Sequence, residues 1–167
     1  ATSNSTNFEP NVTEFVEEAF ERCGLELRTG YDLVSAKRSI NLMLAEWANR
    51  GLNQWTIEEA TQTVTKDTLN YTLDSNVIDI LDCSLRRTDG SVTTDLSMRR
   101  LSRSEYLNIP VKATTGRPSQ FFLDKQNAAV LKVWPAPENS TDVLVFNKLV
   151  RMDDADTAIN TMDMPFR

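Results

Sequence analysis

The chain has 167 residues, enough for one domain with a sizeable hydrophobic core. It carries 18 Lys and Arg against 24 Asp and Glu, a net charge of −6, which disfavours general affinity for nucleic-acid phosphates. Histidine is absent, so the commonest general base and transition-metal ligand are missing. No apolar run approaches the roughly 20 residues that cross a bilayer, and we expect no membrane contact.

The sequence also lacks the short motifs that mark catalytic and metal sites. It contains no glycine-rich phosphate loop, metal-ligand spacing or nucleophile elbow, so it predicts no enzyme, cofactor or metal site. Cys23 and Cys83 fall in different predicted elements. We expect two buried thiols in a reducing compartment rather than a disulfide.

Residues 1–10 are rich in Ser, Thr and Asn and are predicted to form a flexible arm. A first helix then begins at Asn11, whose side chain can cap it together with Glu14 three residues later. Gly24 ends this helix. Its predicted buried stripe recurs at helical spacing and consists of Val12, Phe15, Val16, Ala19, Phe20 and Cys23.

A second helix is predicted from Asp32 to Asn49, ended by Gly51. The short link Leu25–Tyr31 between the two helices favours an antiparallel helical hairpin over residues 11–51. The apolar stripe of the second helix is Leu33, Ala36, Ile40, Met43, Leu44 and Trp47.

Residues 52–151 have the composition of an antiparallel β region. Two strands, Thr56–Thr65 and Thr68–Leu73, are predicted around a turn at Lys66-Asp67. Two further strands, Val77–Arg87 and Val92–Leu101, flank Asp89-Gly90, a strong signal for a two-residue hairpin turn.

A turn centred on Asp89-Gly90 fixes the register of this hairpin. It pairs Leu85 with Thr94, Cys83 with Leu96, Leu81 with Met98 and Asp79 with Arg100. One face becomes apolar and ends in an ion pair, whereas the opposite face, which includes Ile80, is mainly polar.

One helical turn is expected at Arg103–Asn108, before Pro110. Three short strands follow, at Gln120–Asp124, Ala128–Trp134 and Asp142–Arg151, and we predict that they form a β-meander. Residues 152–167 form an acidic, irregular tail. The predicted fold class is therefore α+β, with all segments in a single structural unit.

A cluster of arginines falls in and around the predicted hairpin. It has two interpretations, ordinary ion pairs on strand surfaces or an interface that meets an acidic partner. Trp134, just before Pro135, is either packed in the core or an anchor of a subunit contact. The interface candidates are Arg86, Arg87, Arg99, Arg100, Arg103 and Trp134.

The order of several segments resembles the head-to-tail adaptor (connector) proteins of tailed bacteriophages, and those of short-tailed phages most. Ser39–Gly51 (SINLMLAEWANRG), followed by Trp55, is similar to the opening helical hairpin of that family. Gly116–Leu123 (GRPSQFFL) and Leu131–Pro137 (LKVWPAP) resemble its paired strands, which end in an aromatic-Pro-x-Pro turn. In similar proteins one or two apolar C-terminal helices follow the Pro-aromatic point, whereas this chain stops at Arg167; these helices are either missing from this chain or absent from this member.

The resemblance implies a structural virion protein in the phage neck, assembled in the host bacterial cytoplasm. About twelve copies would form a ring of heterologous contacts, each using two different complementary faces. The implied partners are further copies of the chain, the portal protein, a tail nozzle or tube protein, and double-stranded DNA that passes through the channel without specific recognition.

Two other classes of function remain open from the residues. A β-rich glycan-binding tail or surface module would need an exposed aromatic platform. A carboxylate-dependent hydrolase would need an Asp/Glu pair at a defined distance, and no such pair stands out.

Overall fold

The computed structural model describes residues 11–26, 30–53 and 55–152 of the chain. The chain divides into two compact units, of which one holds the first two helices and the other, Thr56–Arg151, holds every strand described. The elements in chain order are α1 (Val12–Arg22), α2 (Gly30–Asn49), β1 (Ile57–Thr63), β2 (Asn70–Thr72), β3 (Val77–Asp89), β4 (Val92–Ser97), β5 (Arg99–Arg100), α3 (Arg103–Leu107), β6 (Thr115–Gly116), β7 (Gln120–Asp124), β8 (Val130–Trp134), β9 (Ala136–Pro137) and β10 (Val143–Val150).

Helix α1 begins as the sequence predicts. The Asn11 side chain accepts a hydrogen bond from the Glu14 backbone, and the Glu14 side chain accepts one from the Asn11 backbone. This reciprocal capping by Asn11 and Glu14 satisfies backbone donors that would otherwise lack partners. At the other end, Gly24, with φ of +72°, follows the helix.

The two long helices pack through a small apolar cluster. Val12 and Val16 of α1 are buried, and Phe20 completes that side of the helix. They contact Leu33, Ala36 and Ile40 of α2, and the whole predicted stripe of α2 is at least half-buried. The antiparallel direction of the pair stays a prediction.

The predicted stripe of α1 was too wide. Phe15, Ala19 and Cys23 are exposed, because α1 buries only the narrow face that repeats every four residues. The prediction that Cys23 is a buried thiol is therefore wrong, whereas Cys83 is buried as expected. Both cysteines are free thiols.

The β unit contains two four-stranded sheets, which share one core, and a two-stranded sheet of β6 and β9. The first sheet has the order β1-β10-β3-β4 and is antiparallel throughout. The second has the order β2-β8-β7-β5, in which β5 runs parallel to β7. Side chains of both sheets meet in one core that includes Ile80, Leu85, Phe121, Leu131 and Leu144. The chain is thus a mixed α+β protein with mostly antiparallel strands, as predicted.

The β3–β4 hairpin forms, but its register differs from the predicted one by two residues. Leu85 pairs with Leu96, and Asp89 pairs with Val92, so the turn is Gly90-Ser91. Gly90 has φ of +62°, a conformation that favours glycine. A displacement of two residues keeps each side chain on its face, because the strand repeat is two.

Leu81 does not lie on the apolar face of the hairpin, contrary to the sequence prediction. The register between β10 and β3 shifts at this point: Asn147 pairs with Asp82 and Lys148 pairs with Ile80. Leu81 is therefore the extra residue of a β-bulge. As a result Ile80 is fully buried and Leu81 is 47% exposed, the reverse of the prediction.

The predicted strand Val92–Leu101 is divided between the two sheets. β4 ends at Ser97, Met98 is buried in the core, and β5 joins the second sheet. The Met98 backbone still donates to the Cys83 carbonyl. The predicted pair of Asp79 with Arg100 is present as a side-chain salt bridge of 2.8 Å rather than as a strand pair.

The predicted meander is only partly present. β7 and β8 pair as expected, but β10 joins the first sheet, between β1 and β3. Similarly, β1 and β2 flank the turn at Lys66-Asp67 without pairing, since they belong to different sheets. The chain therefore crosses from one four-stranded sheet to the other between β1 and β2, and again between β8 and β10. The predicted arm at residues 1–10 and the acidic tail beyond Met152 lie outside the described residues.

Candidate interaction surfaces

The five predicted interface arginines separate into two groups in the structure. Arg86 and Arg87 lie on β3 in the first sheet. Arg99, Arg100 and Arg103 lie at β5 and the start of α3. Each of the five forms a salt bridge with a carboxylate of the same chain, so the ion-pair interpretation holds for all of them. Their role in an interface stays a prediction.

Arg86 makes a cross-strand pair with Asp95. Its Nε and Nη2 atoms donate to the two carboxylate oxygens, each at 2.7 Å. Both side chains are more than a third exposed. These hydrogen bonds hold the pKa of Asp95 below its ordinary value, but a pair this exposed to solvent adds little to the stability of the fold.

Arg87 makes a more buried pair with Asp142, just before β10. The Asp142 side chain is only 3% exposed. Arg87 donates to both of its oxygens, with Nη2 at 2.7 Å from Oδ2, and also contacts Glu138. These hydrogen bonds, helped by one from Asn139, outweigh burial and hold the pKa of Asp142 below its ordinary value.

Asp79, on β3 of the first sheet, forms salt bridges with two cations of the second sheet's segments, Arg100 and Lys125. It accepts hydrogen bonds from Arg100 at 2.8 Å and from Lys125 at 3.0 Å. Arg100 also donates to the Ile80 carbonyl. Burial would raise the pKa of Asp79, but the hydrogen bonds from Lys125, Arg100 and the Ile80 backbone together outweigh it and lower the pKa.

Asp124, at the end of β7, joins two more cations. Lys132 donates to it at 3.0 Å and Arg103 at 2.9 Å, while Gln126 supplies a third hydrogen bond. The hydrogen bonds from Lys132 and Gln126 lower the pKa of this carboxylate. Asp124 is therefore held ionised although its residue is buried.

An aromatic stack contacts Arg103, Lys112 and Lys132 on the outer face of the second sheet. The rings of Phe122 and Tyr106 stack with centroids 5.1 Å apart. The Arg103 guanidinium lies over Phe122 at 5.7 Å. Lys112 and Lys132 lie over Tyr106 at 5.5 and 5.6 Å. Cation–π contacts of this kind fix the cations in place.

Helix α3 adds a third ion pair to this surface. Ser102 and Glu105 form a capping box at its start, and Glu105 also pairs with Arg99. Lys112 donates to the carbonyls of Leu107 and Ile109. We call the resulting cluster the basic network; its members are Arg99, Arg100, Arg103, Lys112, Lys125 and Lys132 with Asp79, Glu105 and Asp124.

The sequence interpretation included three members of the basic network and missed the lysines and the aromatic stack. A local charge count contains the missing signal. Residues 99–134 hold seven Lys or Arg against two Asp or Glu, whereas the remainder of the chain holds 11 against 22. A basic segment within an acidic chain indicates a localised surface that the net charge conceals.

Trp134, the remaining candidate, attaches a loop to the second sheet. Its indole Nε1 donates to the Val111 carbonyl at 3.1 Å, and the ring is half-buried. The peptide bond to Pro135 is cis. The contact explains the position of Trp134 within one chain, and its predicted role as a subunit anchor stays open.

The described residues contain no group of three or more Cys, Asp or Glu arranged to hold a metal ion. No helix among them is long and apolar enough to cross a membrane. The chemistry of the described surface is that of ion pairs and packing contacts.

Comparison with known proteins decides the family. The model of the SU10 adaptor protein family matches residues 11–166, nearly the whole chain. The chain belongs to the SU10 adaptor protein family. No curated protein matches it.

Membership in the SU10 adaptor family gives the function class. These are structural phage adaptors rather than enzymes, and the family implies contacts with other phage head and tail proteins in the virion neck. The match includes α1, α2 and the whole β unit. The predicted resemblance to a phage adaptor is thereby confirmed.

Proposed function

We propose that this chain is one subunit of the ring that joins the head portal to the tail, most like the adaptors of short-tailed phages. The observation that carries the proposal is the family match over residues 11–166. About twelve copies would form the ring through heterologous contacts, which need two unlike surfaces on each subunit. A helical unit and a β unit in one chain supply such surfaces.

The partners follow from this position in the particle. The ring contacts the portal on one side and a tail nozzle or tube protein on the other, and it assembles in the host bacterial cytoplasm. Double-stranded DNA passes through its centre without sequence recognition. An acidic lumen would repel the phosphates and keep the passage free of tight contacts, which agrees with a net charge of −6.

The predicted interface residues retain a place in this proposal. Arg86, Arg87 and Trp134 are proposed to lie near contacts with the portal or tail. Arg86 keeps 38% of its side chain exposed while paired, so it remains accessible to a partner. Arg99, Arg100 and Arg103 belong to the basic network.

A glycan-binding module is the alternative that the β unit keeps open. It requires exposed aromatic rings on a binding face. Within residues 55–152, every Trp, Tyr and Phe side chain is buried or half-buried. This observation favours the structural adaptor.

The proposal is tested by assembling phage particles without this chain. We expect DNA-filled heads that lack tails and lose their DNA, and we expect the purified full chain to restore tail attachment. Normal tailed, infectious particles in its absence would contradict the proposal. A match between binding on a glycan array and the host surface glycan would favour the alternative.

A further inference from the structure

The basic network carries more positive charge than its own carboxylates neutralise. Asp79 is shared by Arg100 and Lys125, and Asp124 is shared by Arg103 and Lys132. With Glu105 on Arg99, three carboxylates face six cations. The excess is accessible to a partner, since 74% of the Arg103 side chain, 66% of Arg99 and 54% of Lys125 are exposed.

The surroundings of the basic network suit a protein partner rather than DNA. Leu107 and Val111 lie beside Lys112 and are 72% and 59% exposed. Exposed apolar side chains next to charges are typical of a protein contact.

Helix α1 presents the complementary surface. Glu17 and Glu21 are exposed, lie one turn apart, and form no ion pair with any other described residue. Like charges four residues apart repel, so a cationic partner relieves an unfavourable arrangement. Glu18, paired with Arg22, extends the acidic surface, and the 40% exposed Phe15, three residues before Glu18, lies at the edge of this surface on the side away from Glu17. Both surfaces thus combine an excess of one charge with exposed apolar side chains.

We propose that the acidic face of α1 (Glu17, Glu18 and Glu21, with Phe15) on one copy docks against the basic network of the next copy. This contact rests on the proposed ring, since a ring needs two different complementary faces on every subunit. Charge complementarity on one chain supplies such a pair of faces and fixes the direction of assembly.

Two charge-reversal variants test the contact. The first carries Glu17→Lys and Glu21→Lys, which are exposed helix positions that tolerate lysine. The second carries Arg103→Glu and Lys125→Glu, chosen because Asp124 keeps Lys132 and Asp79 keeps Arg100. Arg50→Glu with Lys66→Glu is the control matched to the second variant, because it makes the same charge change at exposed sites elsewhere and, like that variant, removes an arginine that is salt-bridged within the chain.

The readout is the number of copies bound per cognate portal ring, measured by native mass spectrometry with full-length chains. Each reversal variant alone is expected to need an about tenfold or higher concentration to fill the ring, because like charges then meet at every contact. The control should bind like the wild-type chain. An equimolar mixture of the two variants should recover assembly, because lysines on α1 then face glutamates on the second variant in alternating order.

Recovery by the mixture identifies a contact between copies, since a surface that binds only the portal or DNA gains nothing from mixing. Wild-type binding by both variants overturns the inference and leaves the adaptor function intact, whereas failure of the wild-type chain to bind any portal overturns the adaptor function itself. Loss of duplex-DNA binding in the second variant, with assembly unchanged in the first, also overturns it in favour of phosphate contacts. If the second variant does not fold, Arg103→Gln with Lys125→Gln takes its place, with a smaller loss expected.

Discussion

Arg87 and Asp142, separated by 55 residues in sequence, are joined by a two-pronged salt bridge that connects β3 to the start of β10. The carboxylate is buried, and the guanidinium also reaches Glu138. The Asp142 carbonyl in turn accepts a hydrogen bond from Val64, after β1. One acidic residue therefore connects three neighbouring strands of the first sheet.

Replacing Arg87 with alanine should lower the free energy of unfolding by about 2–3 kcal/mol, because the buried Asp142 loses its cation. Arg86→Ala is the matched control, since its partner Asp95 is 45% exposed; it should lower the free energy of unfolding much less than Arg87→Ala does. Urea unfolding followed by circular dichroism measures both. If both variants lose the same free energy of unfolding, the buried Arg87–Asp142 pair is no stronger than the exposed Arg86–Asp95 pair.

Asp142 also gives stability a defined dependence on pH. Its pKa is lower in the folded chain than in the unfolded chain, where an Asp titrates near about 3.9. The contribution of the ionised Asp142 to the free energy of unfolding is present above that pH and is lost as the pH falls through the folded-state pKa. Between about pH 4 and 2, the free energy of unfolding should fall less steeply in Asp142→Asn than in the wild-type chain. Identical slopes would contradict this role.

The bulge in β3 predicts opposite sensitivities at two neighbouring positions. Ile80→Ala should cost about 2–5 kcal/mol because it empties a fully buried site. Leu81→Ala should cost less than about 1 kcal/mol, since Leu81 is nearly half-exposed. Thermal and urea unfolding compare the two. A larger loss of unfolding free energy for Leu81→Ala than for Ile80→Ala would contradict the bulge and support the register in which Leu81 faces the core.

The two thiols should differ in reactivity. Cys23 is exposed, whereas burial, together with the charge of Asp82, raises the pKa of the Cys83 thiol to about 12. A thiol reagent such as DTNB should therefore label one cysteine in the native chain and two after unfolding in guanidinium. Cys23→Ser should abolish native labelling; labelling that persists in this variant would show that Cys83 is accessible.

Local signals predicted the local structure well. The capping residues Asn11 and Glu14, the stop at Gly24 and the stripe of α2 follow from side-chain chemistry within a few residues. The turn near Gly90 was found for the same reason, although Gly90-Ser91 rather than Asp89-Gly90 forms it. What these signals share is that each depends on neighbours in sequence.

Partners distant in sequence were harder to predict. Nothing near Met98 marks the point where the chain leaves one sheet for the other, because that step depends on burial between two sheets. The bulge at Leu81 depends on the pairing of Ile80 with Lys148, which is 68 positions later. Likewise Lys132 and Arg103 are brought together because both donate to Asp124 and both lie on the Phe122–Tyr106 stack, contacts between residues that are far apart in sequence.

We propose that this member of the SU10 adaptor family forms a ring on the portal. The most direct test mixes the purified full chain with its cognate, correctly folded portal ring and measures the mass of the product. We expect a discrete complex with a fixed stoichiometry of about twelve copies per portal, as closed heterologous contacts require. The absence of any complex, at concentrations far above those that fill related rings and with the complete protein in use, would contradict it.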